Sequence, residues 1–295
     1  MTTAPSMAGL PGTGDYAPGI YPNMTFEQYA AIPAVNPSSV KDRIACTPRG
    51  MLVKLRGYKG ESSDSLELGT LAHLAILEPD EIPRRCAIWT GGTRRGKAWD
   101  AFRAANPGRL PVTEEQYDTT LLMRDAMQTH PQAAGLLGQC KQIESATVWR
   151  DKATGLLCKG KPDAFSHHYL IDVKTIRACD HRLVESHTRR YGYDVQMAAY
   201  TEGLNANGCK IDGVFIIFVS TDPAHEVVVY QLQDDLLADG RAWWKSSLHQ
   251  IGTMYRTGVV PWAFPDIEPL CLPEWARKQT GDPLTLSIGG EEVTL

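Results

Sequence analysis

The chain has 295 residues, 43% of them hydrophobic and 22% charged, with a formal net charge of −4; that suits one large soluble α/β domain or two small ones. No apolar run approaches the ~20 residues of a membrane span, and the N-terminal MTTAPSMAGLPGTGDYAPG lacks the basic start and apolar core of a secretory signal, so a cytoplasmic location is expected. The acidic balance does not advertise nucleic-acid binding, but it excludes little, because a carboxylate-rich metal site adds negative charge and an acidic rim can surround a basic groove.

Residues 1–20, rich in Gly, Pro, Ala and Thr, are expected to form a disordered tail. MTFEQYAAI and NPSSVKDRIACTP (24–48) predict two short helices, the second capped by Asn36 or Ser38 with Pro37 at an early position. SLELGTLAHLAIL (65–77) is apolar almost all round, the pattern of a buried helix. TGGTRRGKAWDAF (90–102) carries Arg94, Arg95 and Lys97 on a glycine-bearing loop. The stretch 113–138 reads as one amphipathic helix opening at Thr113 with Glu115 in its first turn. The period then changes to two. IESATVWR (143–150), LLCKGKPDAF (156–165) and YLIDVKTI (169–176) predict strands, DKATG (151–155) being the turn between the first two. A helix is expected over 191–205, an apolar central strand over 213–220, another strand over 225–232 and a long helix over about 233–257, followed by a Pro-rich tail from Pro261. Helices followed by a sheet and more helices predict one α/β (α+β) domain with a central mixed sheet flanked by helices.

Seven cysteines, Cys46, Cys86, Cys140, Cys158, Cys179, Cys209 and Cys271, are odd in number and widely spaced, with no pair at C-x-x-C spacing. This argues against a disulfide framework, a zinc ribbon and a cysteine-ligated iron–sulfur cluster, and predicts buried reduced thiols.

The stretch GKPDAFSHHYLIDVKT (160–175) carries the chemistry. A hairpin turning at His167–His168 sets Asp163 directly opposite Asp172, with Cβ atoms roughly 4.5–5.5 Å apart. Two like charges there are destabilising unless something compensates. A divalent cation does so, since Mg²⁺ or Mn²⁺ takes hard oxygen ligands and binds through one or two carboxylates plus substrate phosphate. Lys174 shares the face of Asp172, roughly 6.6 Å along the strand, while Ile171 and Val173 point into a core. This layout suits metal-assisted phosphodiester hydrolysis, with Lys174 orienting the nucleophile or neutralising charge on the phosphate. A solvated strand face bearing a Lys–Asp surface pair is the plainer alternative.

His73 lies on the apolar helix, four residues after Gly69, which leaves room for a neighbouring strand or an ion. It is either a satisfied core histidine or a metal ligand from a second element, although imidazole is softer than Mg²⁺ usually prefers. Gln196 and Tyr200, at i and i+4, share a helix face. Glu144 opens the strand before the hairpin. Arg94, Arg95, Lys97, Arg189 and Arg190 are candidate DNA phosphate contacts, or plain solvated surface.

The ordered set G-x-x-x-H (Gly69 to His73), P-D (Pro162–Asp163), D-x-K (Asp172-Val173-Lys174) and Q-x-x-x-Y (Gln196 to Tyr200) resembles the PD-(D/E)XK nuclease superfamily in its RecB-like branch. LELGTLAHLAILEPDEI (66–82), ESATVWRDKATGLLCKGKPD (144–163), DVKT (172–175), YGYDVQMAAY (191–200) and LPEWARKQT (272–280) are similar to motifs of the RecE-type 5′→3′ exonucleases (exonuclease VIII) of phages and prophages, as is the SS segment near 38. The likeness covers roughly 22–280, and the long N-terminal extension of some members is missing. It implies a restriction-endonuclease-like core as a single nuclease domain over 21–280, with a C-terminal tail over 281–295. It also implies His73, Asp163, Asp172 and the Val173 carbonyl as ligands of Mg²⁺ (Mn²⁺ substituting), with Lys174 acting on the nucleophilic water. Gln196 and Tyr200 would support the site or the DNA strand, and Glu144 matches a family glutamate of unassigned role. By the same resemblance the substrate is linear double-stranded DNA, digested to 3′ single strands for a single-strand annealing protein, by a homo-oligomer that forms a ring in relatives. The alternatives are a single-strand or structure-specific nuclease of the same fold, or a non-catalytic DNA-binding recombination scaffold, which would not need the Asp163, Asp172 and Lys174 set.

Overall fold

A computed structural model describes residues 11–43, 46–58, 63–267, 270–271, 285–288 and 291–294. In chain order the elements are β1 (Gly19–Tyr21), α1 (Phe26–Ala31), a 3₁₀ turn (Pro37–Ser39), α2 (Pro48–Leu55), α3 (Asp64–Leu77), a second 3₁₀ turn (Pro79–Glu81), α4 (Ile82–Arg85), β2 (Cys86–Trp89), α5 (Lys97–Ala105), β3 (Leu110–Thr113), α6 (Glu114–Thr129), α7 (Pro131–Gly138), β4 (Gln142–Ile143), β5 (Ala146–Arg150), β6 (Leu157–Gly160), β7 (Ala164–Phe165), β8 (Tyr169–Ile176), α8 (His181–Arg190), α9 (Tyr193–Ala206), β9 (Gly213–Ser220), β10 (Val227–Gln231), α10 (Asp234–Thr257), β11 (Thr285–Ile288) and β12 (Glu291–Thr294). The chain divides into a unit ending at Val260 and a unit starting at Pro261. In the second, β11 and β12 pair as an antiparallel hairpin. The family-like stretch 272–280 lies outside the described residues.

The expected mixed sheet is present, with strand order β10-β9-β8-β7-β4. β8 and β9 run parallel, joined by α8 and α9 as the crossover; the other neighbours are antiparallel. Period-two alternation dictates what each face of β8 meets. Ile171 and Val173 enter an apolar layer with Ala72 of α3, Met123 and Met127 of α6 and Ala133 of α7. Leu170 and Ile176 face Met197 and Leu204 of α9. β9 is apolar on both faces for the same reason: it is covered on both sides. A second sheet, β1-β5-β6, packs Trp149 against α9 and Trp244 of α10.

Several boundaries differ from the expectation. The second early helix is a single 3₁₀ turn, capped by Asn36 with Pro37 in its first position, and α2 starts only at Pro48 behind the Thr47 cap. The 113–138 helix opens at the Thr113 cap but breaks at His130, because the residue before Pro131 is pushed to extended backbone (ψ 114°). Lys97 starts the helix α5 rather than lying on a loop. Helix α8 was not anticipated; Asp180 caps it and Val184 and Thr188 bury one face. Within the expected tail over 1–20, residues 11–20 are ordered, and 1–10 lie outside the described residues: Gly12 exchanges backbone hydrogen bonds with Pro33 and Leu157, and Gly19–Tyr21 adds a strand to β5. Low hydrophobicity hides such a segment, because its ordering comes from backbone bonding to a sheet edge.

The most consequential difference is that two expected strands are each split. The 143–150 strand breaks between β4 and β5 at Glu144, and the 156–165 strand breaks between β6 and β7 at Lys161–Asp163. At these two breaks, side by side, the chain leaves one sheet for the other; the Glu144 N–H donates to the Asp163 carbonyl (2.9 Å).

Candidate active site

The hairpin register expected from the sequence is observed: Ala164 pairs with Ile171 and Phe165 with Leu170. Strand β7 stops there, so Asp163 stands opposite Asp172 without closing a further backbone pair. Instead the Asp163 carboxylate turns inward, and its Oδ2 accepts the Val173 N–H at 2.7 Å. The tandem histidines His167 and His168 sit at the turn, with His168 Nδ1 3.1 Å from the exposed Asp212.

Helix α3 brings His73 to this carboxylate. Gly69 lets the helix approach β8, since a Cβ there would lie 3.3 Å from Thr175 Oγ1. His73 Nε2 lies 2.7 Å from Asp163 Oδ2 and its Nδ1 3.1 Å from Glu144 Oε1. Glu144 reaches this position from a left-handed backbone (φ 49°), uncommon for a non-glycine residue and typical of places where a side chain must be aimed. Its other oxygen is paired with Lys161. His73, Glu144 and Asp163 thus offer three ligand atoms within 4.8 Å of one another. The sequence had left Glu144 without a role; no local pattern announces it, because its placement depends on the strand break.

Asp172 lies beside this cluster on β8, 1% exposed. It is paired with Lys174, and its Oδ1 accepts from Gln196 Nε2 at 2.9 Å. Gln196 and Tyr200 share the buried face of α9, as their spacing required, with Gln196 Nε2 3.4 Å from Tyr200 Oη. Gly160 of β6 leaves space for the Tyr200 ring, which a Cβ there would meet at 2.7 Å. Lys174 Nζ lies 5.3 Å from the centre of the Tyr193 ring.

The electrostatics follow from burial and crowding. Burial raises the Asp172 carboxyl above the usual range and Asp163 adds to this, while Lys174 and Lys41 oppose it. Burial would raise Asp163 too, but His73 and Lys174 hold it well below that range. For Lys174, burial disfavours the charge, yet Asp172 and Asp163 raise its pKa above the ordinary lysine value. Burial also opposes charge on His73, but Asp163 and Glu144 push it up to about 10. With a carboxylate at each ring nitrogen, the imidazole acts as a double donor. The donor set of imidazole nitrogen and carboxylate oxygen suits a hard or borderline divalent cation, which can take the place of the His73 proton. Asp172 could join as a further oxygen ligand.

The site opens into a cleft of about 1080 Å³ lined by Lys41, Lys54, Lys161, Lys174 and Arg190 among others. In a chain of net charge −4, the cations gather where the carboxylates are. Lys41, Lys54 and Lys161 were not singled out by the sequence; nothing local marks a lysine as cleft-facing. Of the five basic residues nominated for DNA, Arg190 lines the cleft. Arg94 is engaged by Glu67 (2.6 Å), Gln116 and the Pro111 carbonyl (3.1 Å). Arg189 bridges the buried Asp194 (3.1 Å) and Asp239 (2.5 Å). Arg95, on the segment leading into α5, and Lys97, the first residue of that helix, are exposed.

All seven cysteines are free, Cys86 and Cys158 buried and Cys271 exposed. Among the described residues no helix is long and apolar enough to cross a membrane.

The fold is similar to that of a protein of Eubacterium rectale named "Putative exonuclease", at 16% identity over 80% of this chain and 87% of that one, with a TM-score of 0.57. A phage-related exonuclease of Haemophilus somnus 129PT also aligns, at 13% identity over 77% of this chain and 96% of that one, with a TM-score of 0.31. No curated protein matches the sequence. A family model matches residues 37–264, most of the chain and all of the cluster around Asp163 and Asp172, and the protein therefore belongs to the family described as PDDEXK-like domain of unknown function (DUF3799).

Proposed function

We propose that this protein is a metal-dependent deoxyribonuclease that digests linear double-stranded DNA from its 5′ ends and leaves 3′ single strands. The observation that carries the proposal is the convergence of His73, Glu144, Asp163, Asp172 and Lys174 at one end of a cation-lined cleft.

His73, Glu144 and Asp163, with Asp172 and the Val173 carbonyl beside them, are the residues to hold Mg²⁺ or Mn²⁺. The bound cation would lower the pKa of a water and stabilise charge on the scissile phosphate. Lys174, kept protonated by Asp172 and Asp163, orients the nucleophilic water and neutralises charge that develops on the phosphate. Gln196 donates to Asp172 and leaves its carboxylate fixed rather than free to rotate. Tyr200 closes the buried side of the site and excludes water there. Arg190, Lys54 and Lys161 line the path for the phosphate backbone, so binding should weaken steeply with salt.

The direction of digestion, the single-strand annealing partner and a ring-forming homo-oligomer rest on the resemblance to RecE-type exonucleases. One experiment separates these readings: linear duplex labelled at the 5′ or the 3′ end, with closed circular DNA as control, each with EDTA or Mg²⁺. Mg²⁺-dependent early release of 5′ label with intact circles supports the proposal. Nicked circles make the protein an endonuclease, early release of 3′ label reverses the polarity, and digestion in EDTA refutes the metal mechanism.

A further inference from the structure

The cleft contains another half-buried lysine with a defined partner. Lys41 follows the 3₁₀ turn Pro37–Ser39, and its N–H donates to the Pro37 carbonyl at 2.9 Å. The turn itself is fixed by Asn36, whose Oδ1 accepts from the Ser39 N–H at 3.0 Å. The Lys41 carbonyl lies against Gly192, where a Cβ would stand 1.9 Å away and φ is +61°. Only glycine admits both that approach and that backbone. Two separate features of the chain therefore hold Lys41 against the start of α9.

From there Lys41 Nζ donates to Gln196 Oε1 at 2.5 Å, and Gln196 Nε2 donates to Asp172 Oδ1 at 2.9 Å. An amide has one acceptor end and one donor end of nearly the same shape. A cation on the oxygen end commits the nitrogen end to the carboxylate. The flipped amide would set oxygen against the Asp172 carboxylate and NH₂ against the Lys41 ammonium, two repulsive contacts in a buried site. Asp172 is thereby held from two sides, by Lys174 and by the Lys41–Gln196 pair.

We propose that Lys41 is a positioning residue that acts through Gln196 to fix the Asp172 carboxylate for the divalent cation. The inference rests on the nuclease reading of the site. It differs from a phosphate-binding role, in which Lys41 would act on the substrate and independently of Gln196.

The test is calorimetric titration of Mn²⁺, without DNA, into the full chain as wild type, Lys41→Met, Gln196→Met and the double variant, with circular dichroism on each. Partners that orient a metal ligand typically contribute about 10- to 100-fold in affinity. Each single variant should weaken Mn²⁺ binding by about that factor, and the double variant should be no weaker than the worse single. On linear duplex, kcat should fall with KM unchanged. Lys41→Arg, which keeps a donor for Gln196, should recover most of the affinity; should Lys41→Met fail to fold, Lys41→Arg and Gln196→Met test the same coupling. Losses that multiply in the double variant overturn the proposal. So does unchanged Mn²⁺ affinity with a raised KM for DNA in Lys41→Met, which would make Lys41 a phosphate contact. If the wild type neither binds Mn²⁺ nor cuts DNA, the nuclease reading fails and the inference falls with it; if the wild type does both and Lys41→Met matches it, only the inference fails.

Discussion

Binding of a divalent cation at the His73–Glu144–Asp163 cluster should expel a proton. The imidazole stands between two carboxylates, 3.1 Å from Glu144 and 2.7 Å from Asp163. Burial disfavours its charge, but the two acids overcome this and push its pKa up to about 10, from an ordinary 6.5. Only the neutral ring has a lone pair for a metal. At pH 7.5, stripping the proton costs about 3 kcal/mol, since the pKa lies two to three pH units higher, at about 1.4 kcal/mol each. The apparent Kd for Mn²⁺ should therefore fall about tenfold per pH unit between about pH 7 and 9 and level off near pH 10. Calorimetry at pH 7.5 in two buffers of different ionisation enthalpy should count about one proton released per cation. His73→Gln, which carries no proton to expel, should bind more weakly at high pH but lose the pH dependence. No released proton, with affinity flat from about pH 7 to 9, would refute the charged imidazolium. The same shift affects the metal-free fold with a definite sign. A raised histidine pKa contributes stability that is fully present below pH 6.5 and is lost as the pH rises through about 10.

Lys174→Met should lower kcat on linear duplex by about 10²- to 10⁴-fold, the usual worth of a proton-transfer or charge-stabilising group, with an unchanged circular dichroism spectrum; a rate within about threefold of wild type would remove Lys174 from the chemistry. Asp194, 0% exposed, accepts both arms of Arg43 at 2.9 and 2.8 Å. Asp194→Ala removes both of these bonds and leaves Arg43 with Asp239 alone (2.6 Å); it should cost about 3 kcal/mol in denaturant unfolding, the low end for a broken buried pair because Asp239 stays in place and Arg189 is half exposed and relaxes into water. A loss below about 1 kcal/mol would mean that Arg43 is rehydrated instead.

The central hairpin was legible because its determinants are local. Alternation in YLIDVKTI fixes which side chains share a face, and the tight turn at His167–His168 fixes the register, so the opposition of Asp163 and Asp172 followed without a structure. The pairing of Gln196 with Tyr200 followed in the same way from helical spacing. The strand breaks at Glu144 and Lys161–Asp163 were not legible. The residues around them have strand character, and what ends each strand is the transfer of the chain between two sheets whose other strands lie elsewhere in sequence. Glu144 owes its place in the cluster to that transfer.

Basic residues show the division most clearly. Arg94, Arg95, Lys97, Arg189 and Arg190 look alike in a sequence, yet Arg94 is held by Glu67 and Arg189 by Asp194 and Asp239, while Arg190 faces the cleft. Nothing local marks Lys41 on its short segment, yet it is one hydrogen bond from Gln196. The sequence by itself determined the strand that carries Asp172 and Lys174, the face they occupy and the helix that brings His73, because periodicity and turn chemistry act over a few residues. The tertiary structure alone decided which charges are paired and which remain for a substrate. A charge is neutralised by whatever folds against it, and those partners, Glu144 for His73 and Gln196 for Lys41, come from distant parts of the chain.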